Sequence, residues 1–190
     1  MKKLLVYLNI FVLFLFNGCD KAEWSLKEKE KVAYTKLLCD LYDNKSSNEE
    51  LNFLIKDLDN NGILELIIAK DGINNITVYT FNNTVIEVGN HNFATGTTRL
   101  FFSDNSLHPG IFFYFASGGL DHYGYITTKD NKLIYEELWN EDYSGISKEL
   151  GINRKRIEEF SDDKQLINES RKVYEENNDL LFQKLEPSNF

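Results

Sequence analysis

The chain has 190 residues, a formal net charge of −9 and a hydrophobic fraction of 42%, including 14% aromatic residues. This composition suits one globular domain with a sizeable core and excludes a generally disordered chain. Acidic residues outnumber basic residues 30 to 21, which disfavours nucleic-acid binding because such a surface repels phosphate backbones. Two cysteines are too few for a disulfide scaffold.

Residues 1–18 are predicted to form a lipoprotein signal peptide. Two lysines precede an apolar run over residues 4–16, which would span only about 20 Å as a helix, too short for a bilayer core of about 30 Å. The sequence Phe16-Asn17-Gly18-Cys19 then resembles the lipobox of bacterial lipoproteins. That resemblance implies cleavage before Cys19 and a palmitate-type diacyl anchor on its thiol. An ordinary signal peptide with a chance cysteine is the alternative.

A first amphipathic helix is predicted after this segment. Ser25 is a suitable N-cap, and the helix is predicted to run to about Tyr42. Ala33, Leu37 and Leu41 recur at positions i, i+4 and i+8, beside Tyr34 and Leu38, so they would lie on one face. The pattern predicts that this face packs on the rest of the domain.

Eight strand-like segments follow the helix, joined by turn-forming residues. They are predicted at residues 51–56, 65–70, 76–81, 84–88, 97–103, 111–116, 123–128 and 133–139. Asn82-Asn83 and Asp130-Asn131 are short turns between neighbouring segments, and both predict hairpins. Residues 66–69 are apolar on both alternating faces, which predicts a central strand covered by a helix.

A second helix is predicted near the C-terminal end, starting at Ser161. Asp162 and Asp163 follow it, and acidic side chains favour the positive end of the helix dipole. The residues expected on its buried face are Leu166, Ser170, Val173, Tyr174 and Leu181.

The order of these elements predicts an α+β fold, mainly an antiparallel sheet built as a meander of hairpins and flanked by an N-terminal and a C-terminal helix. Residues 19–25 would form a lipidated tether, and residues 26–190 would form a single domain. The acidic loop between the first two strands does not recur, so a multi-blade propeller is disfavoured.

The acidic loop Asp57-Leu58-Asp59-Asn60-Asn61-Gly62-Ile63-Leu64-Glu65 is the strongest chemical motif. Oxygen-bearing side chains occupy positions 1, 3, 5 and 9, glycine at position 6 permits a sharp turn, and position 7 offers its backbone carbonyl. Calcium takes six to eight oxygen ligands at about 2.4 Å, so the spacing predicts a calcium site. Its predicted ligands are Asp57, Asp59, Asn61, Ile63 through its carbonyl, and Glu65. A plain acidic turn is the alternative.

The predicted affinity of this site is modest. Asn61 stands where a further aspartate would add charge, and Lys56 and Lys70 lie nearby along the chain. We therefore expect a dissociation constant in the range of about 10⁻⁴–10⁻³ M that is found in extracellular modules. The ion would be structural rather than catalytic.

The loop resembles the calcium loop of EF-hands and of integrin-type FG-GAP repeats. The glutamate at position 12 of an EF-hand is missing, since Ile68 stands there, and the flanking strands look more like the FG-GAP type. With this loop, the lipobox and a glycine-rich strand pair running from Gly118-Gly119 to Leu133, the chain is similar to uncharacterised lipoproteins of Gram-positive bacteria. The resemblance implies no established reaction.

Two other residue groups suggest chemistry less strongly. Ser117, Asp121 and His122 combine a nucleophile, an acid and a base, but adjacent strand residues point to opposite faces, so a glycine-rich turn is favoured. The three histidines lack the usual spacing of zinc ligands. Aromatic residues concentrated in segments 111–115 and 123–139 are expected in the core, with an exposed stacking platform as the alternative.

These observations predict a membrane-anchored lipoprotein on the extracytoplasmic face of the cell membrane, acting as a non-catalytic binding or interaction module with a structural calcium ion. Its partners would be the membrane, through the lipid anchor, and an unidentified extracellular ligand or protein, but not nucleic acid. One alternative is an extracytoplasmic hydrolase that uses Ser117, Asp121 and His122. Another is an inhibitory or protective lipoprotein that acts through its acidic face.

Overall fold

The structure is a computed structural model. It describes residues 26–70, 72–93, 96–103, 107–143, 146–147, 152–153, 155–176, 179–186 and 188–189. The predicted signal peptide, the tether and Cys19 lie outside the described residues. Within these residues, no helix is both long enough and apolar enough to cross a membrane.

The described residues form two helices and twelve strands. They are α1 (Leu26–Asn44), β1 (Leu51–Lys56), β2 (Glu65–Lys70), β3 (Asn75–Asn82), β4 (Thr84–Asn92), β5 (Thr97–Ser103), β6 (Gly110–Ser117), β7 (Leu120–Lys129), β8 (Lys132–Asp142), β9 (Ile146–Ser147), β10 (Ile152–Asn153), β11 (Arg156–Glu159), α2 (Lys164–Glu176) and β12 (Gln183–Lys184). The α+β prediction is confirmed, with a helix on each side of antiparallel strands.

The strands form two five-stranded antiparallel sheets that pack face to face. Sheet A has the order β12-β1-β2-β3-β4 and sheet B has the order β11-β8-β7-β6-β5, while β9 and β10 make a separate pair. Apolar side chains from both sheets share one buried cluster, which includes Ile67 and Val78 of sheet A and Ile111, Phe113 and Ile126 of sheet B. The predicted meander is therefore divided into the two layers of a sandwich.

The outer faces of the two sheets are covered by the two helices. Tyr34 and Leu38 of α1 pack on Phe53, Leu66 and Ile68 of sheet A. On β2 the alternate residues face the other way into the layer between the sheets, which confirms the prediction of a central, doubly covered strand. The described part of the chain thus has four layers, in the order helix, sheet, sheet, helix.

Helix α2 covers sheet B through an aromatic layer. Phe112, Tyr123, Tyr125 and Trp139 are buried there against Ile167 of α2. Most of the concentrated aromatic residues therefore belong to the core, as expected.

Both predicted hairpins are present. Asn82 pairs with Thr84, so the β3–β4 turn is centred on Asn83, which has a φ of +60°. Asp130 and Asn131 have φ values of +52° and +58°, which is the conformation of a type I′ turn. Asparagine and aspartate adopt this left-handed region more readily than most residues because their short polar side chains bond locally.

Helix α2 begins three residues later than predicted. The carboxylate Oδ1 of Asp163 accepts hydrogen bonds from the backbone N–H groups of Gln165 and Leu166, each 3.0 Å away. Asp163 is therefore the N-cap, and its charge faces the positive end of the helix dipole. Ser161 instead accepts a bond from the N–H of Asp163 at 3.2 Å.

The predicted buried face of α2 is wrong at Leu181. The helix ends at Glu176, and Leu181 is 84% exposed. The chain leaves sheet B after Leu180, whose N–H bonds to the carbonyl of Leu100 at 2.8 Å, and then adds β12 to sheet A beside β1. Helical periodicity fails here because long-range strand pairing satisfies the backbone instead.

Candidate metal centre

The β1–β2 loop is anchored at one end of the sandwich. Leu58 is fully buried in the cluster between the sheets, and its carbonyl accepts a bond from the Thr127 hydroxyl at 2.8 Å. Asn60 and Gly62 have φ values of +57° and +84°, so the loop turns back sharply between them. The loop is thus held by both sheets.

Three of the predicted ligands converge in this loop. Oxygens of Asp57, Asp59 and Glu65 all lie within 4.8 Å of one another. Two ligands on opposite sides of a calcium ion, each at about 2.4 Å, would be separated by about the same distance. The carboxylate spacing therefore fits a single calcium ion.

The two oxygens of Asp57 have different environments. Oδ2 accepts a bond from the backbone N–H of Gly62 at 3.0 Å, which closes the loop. Oδ1 is buried and has no hydrogen-bond partner among the described residues. A buried carboxylate oxygen without a donor is costly, and a cation would compensate for it.

The other side of the loop is held by side-chain bonds. Asp59 accepts bonds from the backbone N–H and the side-chain amide of Asn61, at 3.2 and 3.0 Å. The side-chain oxygen Oδ1 of Asn61 accepts the N–H of Ile63 at 2.7 Å, and this oxygen has a second lone pair for a further contact. The Ile63 side chain packs on the cluster beneath α1.

Glu65 is the buried member of the group, with 1% of its surface exposed. Oε2 accepts the N–H of Leu58 at 2.8 Å and Oε1 accepts the hydroxyl of Thr80 at 3.0 Å. Burial raises the pKa of Glu65 to about 7, and the nearby carboxylates of Asp59 and Asp57 also raise it, while the two hydrogen bonds oppose the shift. A bound cation would supply the positive charge that this carboxylate lacks.

Helix α1 contributes contacts that the loop sequence does not reveal. Glu30 is 5% exposed, and its Oε1 accepts the N–H of Leu64 at 2.7 Å. The Tyr34 hydroxyl donates to the carbonyl of the same residue at 2.6 Å. Glu30, Tyr34 and Leu38 follow one another at intervals of four, so they lie on one face of the helix. An acidic residue in line with two buried residues was the sequence feature that could have indicated this contact.

The two lysines expected to weaken the site have other partners. Lys56 Nζ lies 3.9 Å from the ring centroid of Phe102, and Lys70 Nζ lies 2.6 Å from the carboxylate of Glu49. Both ammonium groups are therefore directed to groups outside the acidic loop.

The suggested hydrolase residues are not assembled into a catalytic group. His122 stacks on Phe115, with ring centroids 4.3 Å apart, and its Nδ1 lies 2.6 Å from the carboxylate of Glu137. Asp121 is on the opposite face of β7, and the described residues show no hydrogen bond from Ser117 to His122. The short segment therefore folds as the end of a β-hairpin.

The three histidines lie apart and in different surroundings. His91 stacks on Tyr135, while His108 lies between Asp163 and Glu169, at 3.2 and 2.9 Å. Among the residues that the structure describes, the only group of three or more potential metal ligands is the carboxylate group of the β1–β2 loop.

Comparison of the chain with protein-family models, curated proteins and solved structures found no match. The similarity to Gram-positive lipoproteins stays a prediction based on the sequence motifs.

The pKa of Glu65 predicts an unusual pH dependence for the calcium-free protein. Its value in the fold, about 7, exceeds the ordinary value of 4.5, so the native state binds the proton more tightly than the unfolded chain. The contribution to stability is full below about pH 4.5 and is lost as the pH rises through 7. The loss over this window is about 3.5 kcal/mol, since the two pKa values differ by about 2.5 and each pH unit corresponds to about 1.4 kcal/mol.

The measurement is the free energy of unfolding in chelator from pH 5 to 8, for wild type and for Glu65→Gln. Burial lowers the pKa of His91, which acts in the opposite sense, so the difference between the two proteins is the informative quantity. Glu158→Gln, at an exposed residue of β11, is the matched control and should follow wild type. Parallel curves for wild type and Glu65→Gln would contradict the prediction.

Proposed function

We propose that this chain is a membrane-anchored lipoprotein of the extracytoplasmic face, a non-catalytic binding module whose β1–β2 loop holds a structural calcium ion. The observation that carries the calcium assignment is the convergence of Asp57, Asp59 and Glu65 oxygens within 4.8 Å. The Asn61 side-chain oxygen and the Ile63 carbonyl are the further proposed ligands, giving an all-oxygen set that suits a hard cation.

A structural role follows from the position of the loop. Leu58 and Glu65 are both buried and bond to one another across the loop, and Thr127 and Thr80 attach them to different sheets. An ion at this point would stabilise the contacts that the β1–β2 loop makes with both sheets of the sandwich. Because the unfolded chain has no preformed cage, binding would couple to folding.

The non-catalytic part of the proposal is supported by the surroundings of His122. Its Nδ1 lies 2.6 Å from the carboxylate of Glu137, and the described residues show no hydrogen bond between His122 and Ser117. The anchor would come from Cys19, and two acyl chains hold a membrane stably whereas one does so only marginally.

Calcium titration by calorimetry tests the ion assignment directly. Wild type is expected to bind one calcium ion with a dissociation constant of about 10⁻⁴–10⁻³ M, and Asp59→Ala is expected to bind at least ten times more weakly. Asp162→Ala, at an exposed acid before α2, is the matched control and should keep the wild-type affinity. The assignment is wrong if wild type gives no saturable heat, or if Asp59→Ala binds as wild type does.

Lipidation makes a separate prediction. Cells grown with a palmitate analogue should label wild type and Cys39→Ala equally, and should leave Cys19→Ala unlabelled. Cys39 is the appropriate control because it is a half-buried free thiol of α1. In-gel detection of the label measures the outcome, and a labelled Cys19→Ala protein would refute the anchor assignment.

A further inference from the structure

A polar cleft opens beside the proposed metal centre, between the β1–β2 loop and the β7–β8 hairpin. Its volume is about 620 Å³, within the range of roughly 300–1,000 Å³ that is typical of small-molecule sites. Its lining includes Asp59, Glu65, Thr80, Thr128, Lys129 and Asn131. Most of these side chains offer hydroxyl, amide or carboxylate groups, so the cleft suits a ligand with many hydrogen-bonding groups.

Thr128 provides the observation that points to a ligand. It is 6% exposed, and within the described part of the chain its Oγ1 has no hydrogen-bond partner. Thr128 is two residues from Ile126, which is buried between the sheets, so both side chains face this layer. A buried hydroxyl without a partner costs free energy. A ligand hydroxyl in the cleft would satisfy it.

Thr127, the neighbouring residue, shows that an unpartnered hydroxyl is not a general property of β7. Thr127 Oγ1 lies 2.8 Å from the carbonyl of Leu58 and 3.1 Å from that of Pro109. Its hydroxyl is therefore used inside the fold, whereas the hydroxyl of Thr128, which also lines the cleft, has no such partner among the described residues.

The proposed calcium ion would face the same cleft. The loop supplies five proposed ligand residues, while calcium takes six to eight oxygens, so positions stay open for oxygens from outside the loop. Asp59, Asn61 and Glu65 belong both to the ligand set and to the cleft lining. A ligand in the cleft could therefore reach the ion.

The charges around the cleft favour a neutral ligand. Asp57, Asp59, Glu65 and Asp130 carry four negative charges when ionised, against one positive charge on Lys129 and two on calcium. The remaining negative charge disfavours carboxylates and phosphates. Ile134, which is 39% exposed, adds an apolar surface suited to the carbon face of a sugar ring.

We propose that this cleft binds a neutral sugar, with two adjacent hydroxyls completing the calcium shell and a third group hydrogen-bonded to Thr128 Oγ1. The inference rests on the proposed function, because it needs the ion in the β1–β2 loop. It gives the binding module a ligand class and a defined site.

Ligand-observed NMR with three neutral methyl glycosides, those of mannose, galactose and N-acetylglucosamine, tests this inference on the purified protein. At least one glycoside is expected to bind in saturating calcium and to lose tenfold or more in affinity in chelator. Thr128→Val keeps the shape of the side chain and replaces only its hydroxyl with a methyl group, so it should bind calcium normally and the glycoside at least tenfold more weakly. Thr97→Val, an exposed threonine at the opposite end of sheet B, is the matched control and should bind as wild type does.

The outcomes separate this inference from the proposed function. If calcium binds but none of the three glycosides does, the sugar site is wrong and the calcium assignment stands. Equal glycoside binding in chelator, or by Thr128→Val, would also overturn the site. If calcium itself does not bind, the proposed function fails and the sugar site fails with it.

Discussion

Calcium is expected to raise the melting temperature of the protein by about 5–10 °C over its value in chelator. A ligand that binds only the native state at one hundred times its dissociation constant adds about 2.7 kcal/mol to the free energy of unfolding. For a dissociation constant near 10⁻⁴ M, the lower end of the expected range, that condition corresponds to about 10 mM calcium. For a domain of this length, each kcal/mol shifts the melting temperature by roughly 2–4 °C.

Variants of the loop make this prediction specific. Asp59→Ala should lose most of the calcium-dependent increment, yet melt in chelator near the wild-type temperature, because removing one carboxylate also relieves repulsion within the group. Asp162→Ala should keep the full increment. Magnesium should substitute poorly because it requires a tighter octahedral shell. Identical wild-type curves in calcium and in chelator would show that the loop is only a turn.

Phe113→Ala is expected to destabilise the protein by about 3–5 kcal/mol, which is the usual cost of truncating a buried phenylalanine. Phe113 is 1% exposed and lies in the layer between the sheets. Its ring is 5.2 Å from that of Phe93 and 5.0 Å from that of Tyr135. It also fills the space above Gly124, where an added Cβ would lie 2.0 Å from the ring.

Denaturant unfolding monitored by fluorescence measures this effect. Phe160→Ala is the matched control, because Phe160 is 47% exposed and its truncation should cost much less. Chelator should be present in both experiments, so that the core is measured apart from the ion. A cost below about 1 kcal/mol for Phe113→Ala would contradict the burial of Phe113 between the two sheets.

Local sequence patterns predicted most of the elements of the fold. The bounds of β1, β2 and β5 agree with the prediction, because each is a short segment rich in apolar or β-branched residues next to turn-forming residues. The Asp130-Asn131 turn and the α1 stripe were also predictable, since positive φ and helical periodicity depend on residues close in the chain.

Long-range pairing was not predictable in the same way. Strand β12 pairs with β1 more than one hundred residues earlier, and β11, which is exposed throughout, has no alternating apolar pattern to mark it as a strand. The division of the meander into two sheets depends on which apolar faces meet. Alternation shows that a strand has a buried face, but it does not show which layer that face contacts.

The candidate site shows the same division. The sequence by itself determined the oxygen spacing of Asp57, Asp59, Asn61 and Glu65, because a tight loop brings residues two to four positions apart together. Only the tertiary structure decided that Glu65 is buried, that Thr80 bonds to it and that Thr128 lines the same cleft, since the three residues come from three strands and Thr128 belongs to the other sheet. Burial and the pKa of a carboxyl depend on everything packed around it, and that environment exists only after the sheets and helices have assembled.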